Sequence, residues 1–462
     1  MTTVLGAPLV PVAAGREGAA RAELCELDGR LVGWFRLEGG KRRGAIGPTE
    51  GETIERLVRT ACDAGVPIVG VLATSGADLT EGVASLHAWG RVARALADAS
   101  GVVPVVLCVT GPCVSGPSLL LGLADAVVMT ADAFAYVSGP STVTAMTGLV
   151  LDHGELGGSE VHRLRSGVAT LVVDDEDALM WAVADLLSYL PSNNCEAPPA
   201  YTSTDAVDRL CTTAADLVPA TPRASYDVRR VIADVVDGDS FLELRASYAP
   251  NLVTGLARLG GQPVGVVANQ PQQLAGTLDI AASQKGARFV QWCDAFNVPL
   301  VTFVDTPGYQ PGKDLEWRGI IRHGAELVHA YAAATVPRLG VVLRKAYGGA
   351  YIVMDCKTLG NDYCCAWPGA EIAVMGAPGA VAILEGKRLA DVADLDDRVR
   401  LRVELEDEYE RRYCTPHAAA ERGFVDEVID PRETRRVLCG ALRALANKRE
   451  HLPRRRHANG PL

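Results

Sequence analysis

No two of the twelve cysteines are spaced as C-x-x-C, and Cys364 and Cys365 are simply adjacent. The eight histidines supply no H-E-x-x-H and no pairing with cysteine at zinc spacing, so no metal site is expected. A G-x-S-x-G elbow is also missing, which argues against an α/β-hydrolase nucleophile. Basic excess is lacking: 45 Lys and Arg stand against 56 Asp and Glu, a formal charge of −11 spread along the chain. That balance excludes a nucleic-acid binder, although a local cationic patch can still hold a nucleotide-like anion. The stretch 1–15 has no basic region ahead of an apolar run, so no signal peptide is expected. The cysteines then read as small buried hydrophobes in a reducing cytosol.

Charge is absent altogether from Ala99 to Ala124, a length that would span a bilayer. Pro104, Pro112 and Pro117, with Gly101, Gly111, Gly116 and Gly122, forbid one continuous helix there. The stretch reads as a buried strand, a tight turn and a buried helix, with no membrane involved.

A chain of 462 residues, 48% of them hydrophobic, has enough apolar side chains for two cores. It also repeats itself. Cys62-Asp63-Ala64 and Cys293-Asp294-Ala295 lie 231 residues apart, and each leads through Val-Pro into an apolar run. Those runs end at Ser75-Gly76 and at Pro307-Gly308. Val103-Pro104 and Val336-Pro337 lie 233 apart, as do Gly116 and Gly349. Ordered matches at a nearly constant offset indicate an internal duplication. Each half alternates helix, apolar strand and Gly turn, the pattern of parallel strands with crossover helices. Pro191 to Ala224, rich in Pro, Ser, Thr, Asn and Asp, reads as a linker with a short helix at Thr204–Ala215. Two domains, 1–200 and 221–462, are therefore expected.

The second-half turn, Tyr347-Gly348-Gly349-Ala350-Tyr351, joins a strand to a helix. At a helix start the first N–H groups lack intrahelical partners, and glycine lets a ligand oxygen approach them. Two such donors make an oxyanion hole. Its first-half counterpart, Gly111-Pro112-Cys113-Val114-Ser115-Gly116-Pro117, has Walker A glycine spacing, but Pro117 stands where the lysine belongs. Lys41-Arg42-Arg43, between glycines, reads first as a solvated loop, and its charge could also meet phosphates.

The second half closely resembles acyl-CoA carboxylase β subunits of the acetyl- and propionyl-CoA type. The resemblance is carried by Lys285-Gly286-Ala287-Arg288-Phe289-Val290, Phe303-Val304-Asp305-Thr306-Pro307-Gly308-Tyr309 and Gly319-Ile320-Ile321-Arg322-His323-Gly324. It continues through Arg344–Tyr351, Ala366-Trp367-Pro368 and the closing Ala458-Asn459-Gly460-Pro461-Leu462. First-half landmarks are Glu81-Gly82-Val83, Leu156-Gly157-Gly158 and Ser166-Gly167-Val168. Departures concentrate there. The family's Ser-Gly-Gly-Ala-Arg stands here as Thr74-Ser75-Gly76-Ala77-Asp78, and its Gly-Gly pair as Ser115-Gly116. Its upstream Gly-Gly-Ser/Ala stands as Arg43-Gly44-Ala45.

The resemblance implies an α/β fold of two tandem crotonase-like domains. It implies carboxyl transfer from carboxybiotin to a short acyl-CoA through a thioester enolate, with no protein nucleophile. Gly348, Gly349 and Ala350 would supply the C-terminal hole on the biotin side, and Ser115 and Gly116 the N-terminal one on the CoA side. Tyr351, Ile352, Gly76, Ala77, Arg43 and Gly44 are the implied substrate contacts. None of the six methionines precedes a lysine, so biotin must ride on a separate carrier protein, with a biotin carboxylase as a further partner. A cytoplasmic homohexamer is implied. Two rival readings are a catalytically weak partner subunit of a mixed complex and the carboxyltransfer subunit of a biotin-dependent decarboxylase.

Overall fold

The computed structural model describes residues 4–12, 18–39, 42–219, 221 and 224–461. Gly40 and Lys41 of the cationic loop, and Pro222 of the proline-rich stretch, lie outside the described residues. The chain divides into two units: Met1–Pro199 with Ala295–Asn297, and Ala200–Asp294 with Val298–Leu462.

In the first unit, β1 (Leu5–Pro11), β2 (Ala20–Leu27) and β3 (Arg30–Leu37) form an antiparallel meander. Onto it add, in parallel, β4 (Ile68–Thr74), β5 (Val105–Val114), β6 (Ala126–Thr130) and β8 (Leu171–Val173). The short β7 (Phe134–Tyr136) pairs with the far end of β5. Six of the seven residues of β4 are buried, as its unbroken apolar run requires of a strand covered on both faces. The helix Pro48–Ala64 turns Ile54, Leu57, Val58 and Ala61 to the core at helical spacing and stops at Gly65, whose φ is 65°.

The second unit repeats the plan. β9 (Leu242–Leu244), β10 (Leu252–Leu259) and β11 (Gln262–Asn269) are antiparallel. Then β12 (Leu300–Thr306), β13 (Arg338–Tyr347), β14 (Tyr363–Ala366) and β16 (Glu427–Val428) add in parallel, with β15 (Glu371–Ala373) beside the end of β13.

Registers match as well as order. Ile68 pairs with Gly33 and Val105, and Leu300 with Gly265 and Arg338. Both sheets lose register at the same point, between Leu72 and Thr74 and between Val304 and Thr306. Gly44 (φ 70°) and Gly276 (φ 75°) lie against the carbonyls of Ala73 and Asp305, where a Cβ would come within 2.1 and 2.5 Å of the oxygen. Only glycine fits either place. The two units thus share one strand order, as the duplication predicts.

One local expectation is sharpened and one changes. The helix expected after the first-half turn, Gly116–Leu123, takes the 3₁₀ form. Pro117 gives no N–H, and the Ser118 N–H and Oγ both bond back to the Ser115 carbonyl, at 3.0 and 2.7 Å, which closes the tighter turn. The expected helix at Thr204–Ala215 is instead Thr212–Leu217. Upstream of it, the buried Arg435 takes the carbonyls of Ala206 (2.8 Å) and Asp205 (3.2 Å) that a helix would have used. Cys211 and Ala214 are buried, so this stretch packs as part of the second unit. Among the described residues no helix is long and apolar enough to cross a membrane.

Candidate active site

In the second unit, β13 runs into the helix Gly348–Val353 through Tyr347. Gly348 has φ 59°, the left-handed conformation that the turn needs and glycine supplies. No side chain caps this helix, so the N–H groups of Gly349 and Ala350 have no acceptor within it. A Cβ on Gly349 would meet nothing nearer than Tyr309 Cε2 at 4.0 Å, which leaves its backbone open to a ligand.

Gly348, Gly349, Tyr351 and Ile352 line one cavity of about 550 Å³. Ala350 is fully buried and is not among the residues that line this cavity. The opposite walls come from much later in the chain: Tyr409, Arg412, Tyr413, Arg422 and Phe424. Ile352 is 43% exposed there, whereas Tyr351 is buried and burial holds its hydroxyl above the usual range. Sequence reasoning missed the later residues because no local pattern ties them to the glycine turn some 60 residues earlier.

The first unit gathers the other sequence candidates. The Arg43 carbonyl accepts the Ser75 N–H at 3.1 Å, and the Gly76 carbonyl accepts the Ile46 N–H at 2.8 Å. Ala77 bridges to Ile46, and a Cβ on Gly76 would lie 3.1 Å from the Ser115 Cβ. Arg43–Gly44, Gly76–Ala77 and Ser115–Gly116 therefore meet. Arg42 is paired with Asp78, which also accepts the Thr80 N–H (3.0 Å) and hydroxyl (2.8 Å). Its charge is thereby largely neutralised, while the exposed Arg43 makes no ion pair among the described residues.

Ser115, expected as a backbone donor, does not serve as one. Its N–H goes to the Tyr136 carbonyl at 2.9 Å, because β7 draws alongside β5 at this point. Pro117 has no N–H, so Gly116 is left as the backbone donor of this turn, with Trp89 packed so closely that a Cβ on Gly116 would lie 3.0 Å from the indole.

A family model for the carboxyl transferase domain matches residues 22–460. The chain belongs to the carboxyl transferase family. Among its members, the propionyl-CoA carboxylase beta chain of Saccharopolyspora erythraea is 45% identical over 446 residues, covering 94% of this chain and 82% of that one. The carboxyltransferase subunit of propionyl-CoA carboxylase from Haloferax mediterranei is 44% identical, covering 95% and 84%. The solved transcarboxylase 12S, a hexamer with hydrolysed methylmalonyl-coenzyme A bound, superposes with a TM-score of 0.92 at 41% identity. That match covers 96% of this chain and 85% of the 12S chain.

Proposed function

We propose that the chain is the carboxyltransferase subunit of a biotin-dependent acyl-CoA carboxylase. It moves a carboxyl group from carboxybiotin, borne on a separate carrier protein, to the α-carbon of a short acyl-CoA. The observation that carries this reading is the uncapped helix start at Gly348–Gly349, open at Gly349, on the wall of the second-unit cavity.

In this reading residues 1–200 form the CoA side and 221–462 the biotin side. Carboxybiotin supplies the carboxyl group and, once decarboxylated, a base. The chain's own residues position and polarise. Gly349 and Ala350 donate N–H groups to the ureido oxygen, with Gly348 shaping the turn; the open space at Gly349, where a Cβ would meet Tyr309 Cε2 at 4.0 Å, supports this. Gly116 donates to the thioester oxygen as the enolate forms. Gly76, Ala77 and Gly44 keep backbone at the acyl-CoA, and Arg43, without an ion pair among the described residues, offers a cation to its phosphates. Ile352, flanked by Tyr351, presents an apolar wall suited to acetyl or another short aliphatic chain. The working assembly is a cytoplasmic homohexamer served by a biotin carboxylase and a biotinyl carrier.

The test is a carboxylation assay with purified biotin carboxylase, biotinylated carrier, ATP and bicarbonate across several acyl-CoAs. Carboxylation of acetyl- or propionyl-CoA is expected. If no acyl-CoA is carboxylated while carrier binding still depends on Gly349, the weak-partner reading replaces this one.

A further inference from the structure

Where β12 and β13 lose register, Asp305 alone faces the three residues Leu343, Arg344 and Lys345. This bulge lies just ahead of Gly348 and sets where the glycine turn emerges from the sheet. Asp305 is 1% exposed and bonded on every side. Its Oδ1 accepts the Lys345 N–H at 3.1 Å. Its Oδ2 accepts the Tyr226 hydroxyl at 2.8 Å and Arg344 Nε at 3.1 Å. Its own N–H is donated to Asn269 Oδ1 at 3.2 Å. Arg344 reaches on to the Ala224 carbonyl at 2.8 Å and lies over the Tyr226 ring at 5.2 Å.

The first unit builds the same bulge without charge. There Ala73, Gly111 and Pro112 occupy the places of Asp305, Arg344 and Lys345. Pro112 has no N–H to satisfy, and a Cβ on Gly111 would rest 3.4 Å from the Ala73 methyl. A neutral construction is thus available to this fold, and a buried ion pair is costly unless its geometry is good. What the ionic version adds is direction: Arg344 and Lys345 are each held by a directed hydrogen bond to the one carboxylate.

We propose that Asp305, with Arg344 and Tyr226, is a positioning unit that fixes Gly348 and Gly349 for the transfer step. Asp305 touches no reacting atom; it acts through the Lys345 N–H and the Arg344 side chain on the turn that follows. The inference rests on the reading of that turn as the oxyanion hole. It is new in that no local motif marks Asp305 and Tyr226, 79 residues apart, as partners.

The experiment compares Asp305→Asn and Tyr226→Phe with the wild type in the complete carboxylase. Asp305→Asn should lower kcat about 30- to 100-fold and leave KM for acyl-CoA within about twofold, as expected when donors shift by a fraction of an ångström. Tyr226→Phe, which spares the ion pair, should lower kcat about three- to tenfold with the same split. Burial raises the carboxyl pKa of Asp305, so wild-type kcat should fall toward acid as it takes a proton, and Asp305→Asn should lack that limb. Unchanged kcat in a folded Asp305→Asn, or kcat falling only in step with thermal stability, overturns the proposal. If Asp305→Asn does not fold, Tyr226→Phe decides alone, and wild-type kcat there overturns it. Gly349→Val separates the two levels. If it leaves transfer intact, the reading of the turn fails; if it abolishes transfer while both other variants match the wild type, only the positioning role fails.

Discussion

Ser115 donates its backbone N–H to the Tyr136 carbonyl at 2.9 Å, where β7 lies along β5 as β15 lies along β13 beside Gly348. The two turns differ at Pro117, which stands where the second unit has Ala350 and leaves Gly116 without the adjoining N–H that Gly349 has. Pro117→Ala returns a donor next to Gly116 and should leave kcat/KM for acyl-CoA equal to or above the wild-type value. A steady-state comparison over several acyl-CoAs checks this, and a loss of more than about tenfold would mean that the proline ring itself shapes the turn.

Ser115 holds φ 64° and ψ −154°, a region that side chains avoid, while its counterpart Gly348 takes φ 59° as a glycine. Strain of this kind costs about 1–3 kcal/mol, part of which glycine returns as unfolded-state entropy. Ser115→Gly should therefore stabilise the protein by about 1 kcal/mol, read as a higher denaturant midpoint. An unchanged midpoint would show that Oγ contacts repay the strain.

Gly349→Val should abolish carboxyl transfer. The new side chain enters open space beyond which Tyr309 Cε2 is the nearest atom, at 4.0 Å from the Cβ. Folding should survive while the approach to the backbone is blocked, with a loss of at least about 100-fold in kcat. Thermal melting alongside the assay separates the two effects.

The duplication, the alternation of strands and helices and the glycine turns were all legible as residues, because offsets of 231–233 survive as shared registers such as Gly33 with Ile68 and Gly265 with Leu300. Pro117 was legible too, as a missing donor. The engagement of Ser115 was not, since it depends on β7 closing beside β5 some 20 residues later. The same holds for Arg412 and Arg422, which reach the cavity of Gly349 only through the tertiary fold. Thr204–Ala215 misled because its composition suits a helix, whereas Arg435, more than 200 residues on, claims the carbonyls at Asp205 and Ala206.

Ile352 stands half-exposed in the cavity, with an apolar side chain that costs nothing to leave unpaired. Ile352→Asp places a carboxylate there that must be hydrated or matched by the ligand. The acyl profile should narrow or shift, measured as kcat/KM for acetyl-, propionyl- and butyryl-CoA. An unchanged profile would remove Ile352 from the acyl pocket.

The two bulges are separated by a barrier in sequence space. Converting the ionic one to the neutral one needs Asp305→Ala, Arg344→Gly and Lys345→Pro, and no order of single steps is harmless. Asp305→Ala alone strands a buried guanidinium and an N–H, Arg344→Gly alone takes the hydrogen-bonded cation from a buried carboxylate, and Lys345→Pro alone removes one of that carboxylate's bonds. Each intermediate is poorer than either endpoint, so the halves of one duplicated gene can drift elsewhere yet stay fixed in different solutions here.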